Sequence, residues 1–261
     1  MDLGRYCAAL VRQARSNFYY AFVFLPTPKR EAIYAAYAFS RHTDDLVDQA
    51  TSHEQAVHDL RAWRGQLHAC YSGRPTHPIA QNLQRVLNQF PIPKAHFVHL
   101  IDGVEMDLRK NRYATFEELY GYCYRVASAI GLICIEIFGY RNPQTVDYAV
   151  NLGIGLQLTN ILRDIRVDAQ QDRIYLPAED LARFGYSESD LMAGTYNRPF
   201  TQLMAYQCRR ARDYYARARD HLSAEDRNGL FSAEIMAEIY ARLLRRIEAM
   251  DYNVFDRTAK V

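Results

Sequence analysis

The sequence predicts an all-α fold, and three observations carry that expectation. Helix breakers are scarce, with 12 Gly and 9 Pro in 261 residues, so few positions interrupt a helical segment. Apolar residues recur at spacings of three and four along most of the chain, and clean period-2 stretches are nearly absent. Punctuation comes only in short clusters, at 26–28, 72–78, 91–93, 110–115, 139–143, 172–177 and 194–199. Between these clusters about eight to ten helices and essentially no sheet are expected. No internal repeat, low-complexity tract or Gly/Ser linker divides the pattern, so residues 1–261 are expected to form a single domain.

The elements follow in order. A first long helix is expected to start at Pro28, because proline suits the first turn, and to run through PKREAIYAAYAFSRHTDDLVDQA (28–50). Thr115 with Glu118 has the T-x-x-E form of a capping box and marks another start. The longest apolar run, Val126 to Tyr140, contains Ser128 and Glu136. It falls short of the roughly 18 residues that span a bilayer and is expected as a buried helix. Residues 150–168, VNLGIGLQLTNILRDIRVD, carry Leu152, Ile154, Leu156, Leu158, Ile161 and Leu162, so that helix is expected to be buried on most sides. Ser223 with Asp226 marks a late helix start.

Composition narrows the function. Twenty Tyr and twelve Phe suggest an aromatic interior, although most of the tyrosines are expected half-exposed on helices. A net charge of +2 points to no nucleic-acid partner. The five cysteines, Cys7, Cys70, Cys123, Cys134 and Cys208, are scattered, which argues against a disulfide framework or a zinc cluster and fits a reducing compartment. His96 and His99 form an i, i+3 pair with no further ligand close in sequence. Met1 to Gln13 mixes charge and polarity without the pattern of a signal peptide, so a cytoplasmic, soluble or membrane-peripheral protein is expected.

Two helices carry unusual polar stripes. In 28–50, helical spacing puts Tyr34, Tyr37, Arg41, Asp44 and Asp48 on one face. Like charges at i, i+4 repel, and the repulsion grows inside a cavity unless a cation lies between them. Such a pair of carboxylates suits Mg²⁺, which keeps waters and substrate phosphate as its other ligands; a solvated acidic patch is the plainer alternative. In 150–168, Gly153, Gln157, Asn160, Asp164 and Asp168 form a second stripe within apolar flanks. Buried polar groups need partners, and metal ions with a diphosphate would supply them. Arg163, beside the stripe, can reach a phosphate oxygen with its fork. A seam satisfied internally by arginines is the alternative here. Gly153 and Gly155 do not form a dinucleotide fingerprint, because no strand precedes them and the third glycine is absent.

Three blocks, SRHTDDLVD (40–48), GYCYRVASAIG (121–131) and LQLTNILRDIRVDAQQDRIYLP (156–177), resemble the squalene and phytoene synthase family. The likeness runs from about Ser16 to about Phe255 and is finest to the bacterial presqualene diphosphate synthases of hopanoid pathways, through NFYYAFVFLP and RRIEAMDYNVF. The resemblance implies a class I isoprenoid synthase helical bundle with a central cavity. It implies that Asp44 and Asp48, with Asn160, Asp164 and Asp168, hold Mg²⁺ (or Mn²⁺). Arg41, Gln157 and Arg163 then fall where the family contacts diphosphate, and Asp107 where another helix adds an acid. Tyr122, Val126, Ala127 and Ile130 would line the prenyl channel around Gly131. Arg173 and Tyr175 would belong to the segment that closes the site, and Tyr240 would approach from a late helix. Asn17 stands where relatives often have Ser, which puts that phosphate contact in question.

The implied reaction joins two farnesyl diphosphates head to head into presqualene diphosphate. Tyr37 or the released diphosphate would accept the proton lost on cyclopropane closure. No NADPH is expected. Phytoene from two geranylgeranyl diphosphates, or dehydrosqualene, is the runner-up. A terpene cyclase shares the four-residue spacing of Asn160, Asp164 and Asp168 but not the DRIYLP or GYCYRVASAIG blocks. A non-catalytic helical scaffold would not be expected to keep every acid. Partners implied are the prenyl diphosphates, a membrane surface that receives the apolar product, and downstream pathway enzymes.

Overall fold

The computed structural model describes Cys7 and residues 21–260. Among these residues the chain is helical and contains no strand beyond a single isolated bridge between Arg112 and Ile174. In chain order the helices are α1 (Thr27–Asp48), α2 (His53–Ser72), α3 (Pro78–Gln89), α4 (Lys94–Met106), α5 (Phe116–Cys123) and α6 (Ala129–Phe138). They continue with α7 (Thr145–Gln170), α8 (Ala178–Arg183), α9 (Glu188–Ala193), α10 (Arg198–Asp220) and α11 (Phe231–Ala249). A π-helical turn, Tyr124–Ser128, joins α5 to α6 without a break.

The first long helix starts at Thr27 with Pro28 in its first turn and reaches Asp48 unbroken, as its sequence suggests. Its orientation is set by an aromatic knot. Phe39 stacks on Trp63 of α2 at 4.8 Å and meets Phe97 of α4 edge-on at 5.1 Å. The Trp63 indole N–H donates to the Thr43 hydroxyl (2.9 Å), which itself donates to the Phe39 carbonyl (2.8 Å). With Phe39 and Thr43 turned into α2 and α4, the other face of α1, with Asp44 and Asp48, is left for the interior cavity.

Helix α7 runs through the centre. Gly155 lets it approach α10 so closely that a β-carbon there would lie 3.0 Å from the Tyr215 ring. The Thr159 and Tyr215 hydroxyls both reach the Gly155 carbonyl, at 2.8 and 2.9 Å. These contacts fix the back of α7 and send Gln157, Asn160, Asp164 and Asp168 the other way.

Three expectations need correction. Thr115 caps α5 by accepting from the Glu118 amide, but the Glu118 carboxylate turns to the Ala114 amide (2.8 Å) and Lys110, so the box is half closed. Ser223 accepts from the Asp226 amide but opens only a turn; α11 begins later, at Phe231. The apolar helix is longer than Val126 to Tyr140. Phe116–Phe138 spans 23 residues and meets the length and hydropathy of a membrane span, with half of its apolar window buried inside the protein. The π turn merges what reads as separate segments into one stretch, whose buried half behaves as a core helix.

Candidate active site

One cavity of about 390 Å³ collects the polar ends of these elements. Helix α1 contributes Ser40, Arg41, Asp44, Val47 and Asp48, and α7 contributes Gln157, Asn160, Ile161, Arg163, Asp164 and Asp168. The floor and rim come from Val104 and Asp107 at the end of α4, Tyr122 of α5, Val126 of the π turn, and Arg173 and Tyr175 of the segment after α7. Both acidic stripes therefore line the same space, which neither helix could show alone.

The electrostatics are strained in the expected sense. Burial and the neighbouring Asp48 push the Asp44 carboxyl up to about 7. Burial and the neighbouring Asp164 push Asp168 up to about 7. Asp107, also raised by burial, accepts hydrogen bonds from the hydroxyls of Tyr122 (3.1 Å) and Tyr175 (3.0 Å). Their rings stack at 5.1 Å, and Tyr113 stacks behind Tyr175 at 5.8 Å. Arg173 lies across the mouth, 4.0 Å from Asp48.

Some side chains are turned in ways that spacing does not reveal. Arg41 pairs with Asp45 one turn on (2.8 Å) rather than with Asp44 or Asp48. Arg163 grips its neighbour Asp164 with both arms of its fork, Nε lying 2.7 Å from Oδ1. Among the described residues no three carboxylate, imidazole or thiolate groups close on one point. The Asn160 amide oxygen is buried with no hydrogen-bond partner, while its nitrogen faces Gln157 (3.4 Å). Tyr240 of α11 stands behind the wall, its hydroxyl interacting with Arg163 and Asn160.

The remaining expected residues are placed as follows. Tyr37 is half-buried one turn before Arg41, and Ala127 and Ile130 are half-buried on the π turn and α6. The cavity wall is formed without Tyr37, Ala127, Ile130 and Tyr240. Asn17 lies outside the described residues. Ser40, Val47, Val104 and Ile161 also line the cavity, although none is among the site residues expected from the sequence. Helical spacing carries the signal for each: Ser40 precedes Asp44 by four, Val47 follows Asp44 by three, Val104 precedes Asp107 by three, and Ile161 follows Gln157 by four.

The donor set fits a hard divalent cation. It consists of oxygens alone: four carboxylates in two i, i+4 pairs and one unpartnered amide oxygen. Mutually repelling carboxylates, with Asp44 and Asp168 pushed up by burial as well, lose their penalty when a cation enters with its own waters and phosphate oxygens. Arg163 and Arg173 add fixed positive charge beside them, as a diphosphate requires.

The comparisons with known proteins agree with this geometry. A family profile described as squalene/phytoene synthase matches residues 11–261. A phytoene synthase of Arthrospira platensis is 37% identical, covering 100% of this chain and 88% of its own. A 15-cis-phytoene synthase of Synechococcus elongatus is 36% identical over 98% of this chain and 87% of its own. A dehydrosqualene synthase solved with a ligand superposes with a TM-score of 0.86 at 32% identity, covering 97% of this chain and 89% of its own. A squalene synthase of Alicyclobacillus acidocaldarius gives a TM-score of 0.86 at 27% identity, covering 96% and 95%. The all-α bundle with two acidic helices around one cavity is the isoprenoid synthase architecture, and this chain is a prenyltransferase belonging to the squalene/phytoene synthase family.

Proposed function

We propose that the chain, acting as one domain, condenses two geranylgeranyl diphosphates head to head into phytoene. The observation that carries the condensation is the meeting of the α1 and α7 carboxylates in one cavity rimmed by Arg163 and Arg173. The choice of the C20 substrate is supported by the phytoene synthases at 37% and 36% identity over nearly the whole chain. This reverses the order of products that the sequence alone suggests. Presqualene diphosphate or dehydrosqualene from two farnesyl diphosphates stays as the second reading, favoured by the dehydrosqualene synthase likeness at 32% identity.

Asp44, Asp48, Asn160, Asp164 and Asp168 are proposed to hold Mg²⁺, with Mn²⁺ as a substitute. When bound, the cation neutralises the diphosphate oxygens and stabilises the charge that gathers on them as the allylic C–O bond breaks. Arg163 and Arg173 would orient the diphosphate through forked hydrogen bonds, with Arg41 and Gln157 at its edge. Val47, Val104, Val126 and Ile161 would keep water from the allylic cation so that the second substrate's double bond meets it first. Both diphosphates leave with their bonding electrons and two protons are lost, so phytoene formation needs no reductant and no NADPH. Released diphosphate is proposed as a proton acceptor ahead of Tyr37, which stands one turn before Arg41 and outside the cavity wall. A C40 hydrocarbon product calls for delivery to a membrane or a downstream enzyme, which fits a cytoplasmic or membrane-peripheral placement.

Incubation with labelled geranylgeranyl or farnesyl diphosphate and Mg²⁺, with and without NADPH and EDTA, tests this reading by product mass. Phytoene from the C20 substrate without NADPH is the expected result. Presqualene diphosphate or dehydrosqualene from the C15 substrate, with no C20 turnover, would hand the case to the second reading.

A further inference from the structure

A segment after α7 carries Arg173 and Tyr175 to the cavity, where the Tyr175 ring stacks on Tyr122 and Tyr113 and the flanking Ile174 and Leu176 are buried. Arg173 is 4.0 Å from Asp48, and the Tyr175 hydroxyl bonds to Asp107 and to the Tyr122 hydroxyl. A second set of restraints lies on the outside. The Ile174 amide donates to the Asn111 carbonyl (2.9 Å), and the Ala178 amide donates to the Tyr113 carbonyl (2.8 Å). These bonds make residues 172–178 a strap laid parallel to the loop that follows α4.

Arg112 closes this arrangement without lining the cavity. Its guanidinium donates to the Asn111 carbonyl (3.0 Å), the Asp172 carbonyl, the Asp172 carboxylate (2.7 Å) and Glu188 of α9 (2.9 Å). Asp172 has a positive φ of 56°, a conformation that costs a residue with a β-carbon. Its carboxylate offsets that cost by accepting from both Arg112 and the Asn111 amide nitrogen (3.1 Å). The left-handed residue reverses the chain directly before Arg173, so its backbone angles set where that guanidinium points. Exposed ion pairs contribute little to global stability. A planar fork reaching two carbonyls and two carboxylates has a local effect instead: it removes the freedom of the strap.

We propose that Arg112 is a positioning residue of the reaction, latching the strap so that Arg173 and Tyr175 stay set against the diphosphate end of the cavity. The assignment rests on the proposed prenyl condensation for its kinetic arm and on geometry alone for its structural arm. In Arg112→Ala, amide exchange at Ile174 and Ala178 is expected to accelerate at least about tenfold while the α7 and α10 cores keep their protection. The ratio kcat/KM is expected to fall by about ten- to a hundredfold, the scale of a displaced substrate clamp. Arg112→Lys should not rescue either readout, because one ammonium cannot serve four acceptors in a plane. Asp172→Asn should have a smaller effect than Asp172→Ala, since asparagine tolerates positive φ and keeps one acceptor oxygen for Arg112, whereas Asp172→Ala should resemble Arg112→Ala.

Wild-type exchange at Ile174 and Ala178 in Arg112→Ala would overturn the proposal. So would uniform loss of protection across the bundle, since Arg112 would then hold the fold rather than the strap. Full rescue by lysine would overturn it too. If the wild-type enzyme turns over neither prenyl diphosphate, the proposed function fails and the exchange arm alone decides the latch.

Discussion

Asp164 shows how a residue can be both a proposed metal ligand and a partner of the group that handles the leaving diphosphate. Its carboxylate is gripped by Arg163, whose charge is favoured first by that hydrogen bond. Entry of a cation and diphosphate would let Arg163 trade a carboxylate for a phosphate and free Asp164 for the cation. Asp48, more exposed and facing Arg173 across the mouth, has the same choice. Asp48→Asn or Asp164→Asn is therefore expected to lower turnover by at least about a hundredfold, the scale of losing a principal electrostatic stabiliser. Helical circular dichroism should stay at the wild-type level, because neither carboxylate supports the core. Wild-type turnover of either variant, or of the parent protein in excess EDTA, would remove the metal from the mechanism. The side-chain partners behind this argument were not legible in the sequence. Spacing puts Asp44, Asp48, Asp164 and Asp168 on two faces, but it does not reveal that Arg163 reaches sideways to its neighbour or that Arg41 prefers Asp45. Those choices depend on which acceptors the tertiary fold leaves within a fork's reach.

At the scale of elements, the wall between the two acidic helices is a π turn gripped by glycines. A β-carbon on Gly153 of α7 would lie 2.6 Å from the Ser128 Cα, and one on Gly103 of α4 would lie 2.7 Å from the Val126 side chain. The Ser128 hydroxyl donates to the Val150 carbonyl (2.8 Å), locking the turn to α7. Backbone thus packs on backbone, and the wider π turn presents Val126 to the cavity. Helical periodicity made the long helices around it legible, because 28–50 and 150–168 have uninterrupted patterns that tertiary contacts only reinforce. A π turn leaves no comparable trace: its five residues, YRVAS, are compatible with an ordinary helix, and only the neighbours' glycines reveal the close approach. The same blindness hid the full length of the apolar stretch 116–138. Gly153→Ala must move the turn, since the near atoms are backbone and cannot rotate away. We expect a stability loss of about 1–3 kcal/mol from overpacking. Turnover should fall about ten- to a hundredfold from the displaced wall. Binding of inorganic diphosphate with Mg²⁺, which draws on the opposite ends of α1 and α7, should be retained. A variant with both wild-type melting and wild-type turnover would show that the wall yields freely.

For the molecule as a whole, the end remote from the carboxylates is tied by one buried acid. Asp226, 4% exposed between α10 and α11, accepts from the Arg141 amide (2.8 Å), the Asn142 amide (3.0 Å) and the Thr145 hydroxyl (2.7 Å). It thereby joins the α6–α7 junction to the α10–α11 junction, and so fixes the start of the helix that carries the second acidic stripe. Burial acts to raise this carboxyl, but these donors together with the Ser223 hydroxyl outweigh it and hold it below the usual carboxylate range. A folded-state pKa below the unfolded one means the stabilisation is fully present above about pH 4 and fades as pH falls through the folded value. Asp226→Asn keeps the shape but turns an amide N–H towards backbone donors, at a cost of about 2 kcal/mol near neutrality. That corresponds to a melting midpoint lower by about 4–8 °C for a chain of this size. Thr145 lies about 35 Å along α7 from Asp168 at 1.5 Å per residue, so turnover below the melting range should be unchanged. The difference in stability between wild type and variant should shrink steadily below pH 4, as the wild-type carboxyl takes up its proton and loses the same bonds. A deficit that stays constant from pH 7 to pH 3 would mean the asparagine acts through packing alone, and that the charge on Asp226 does not hold this end of the bundle together.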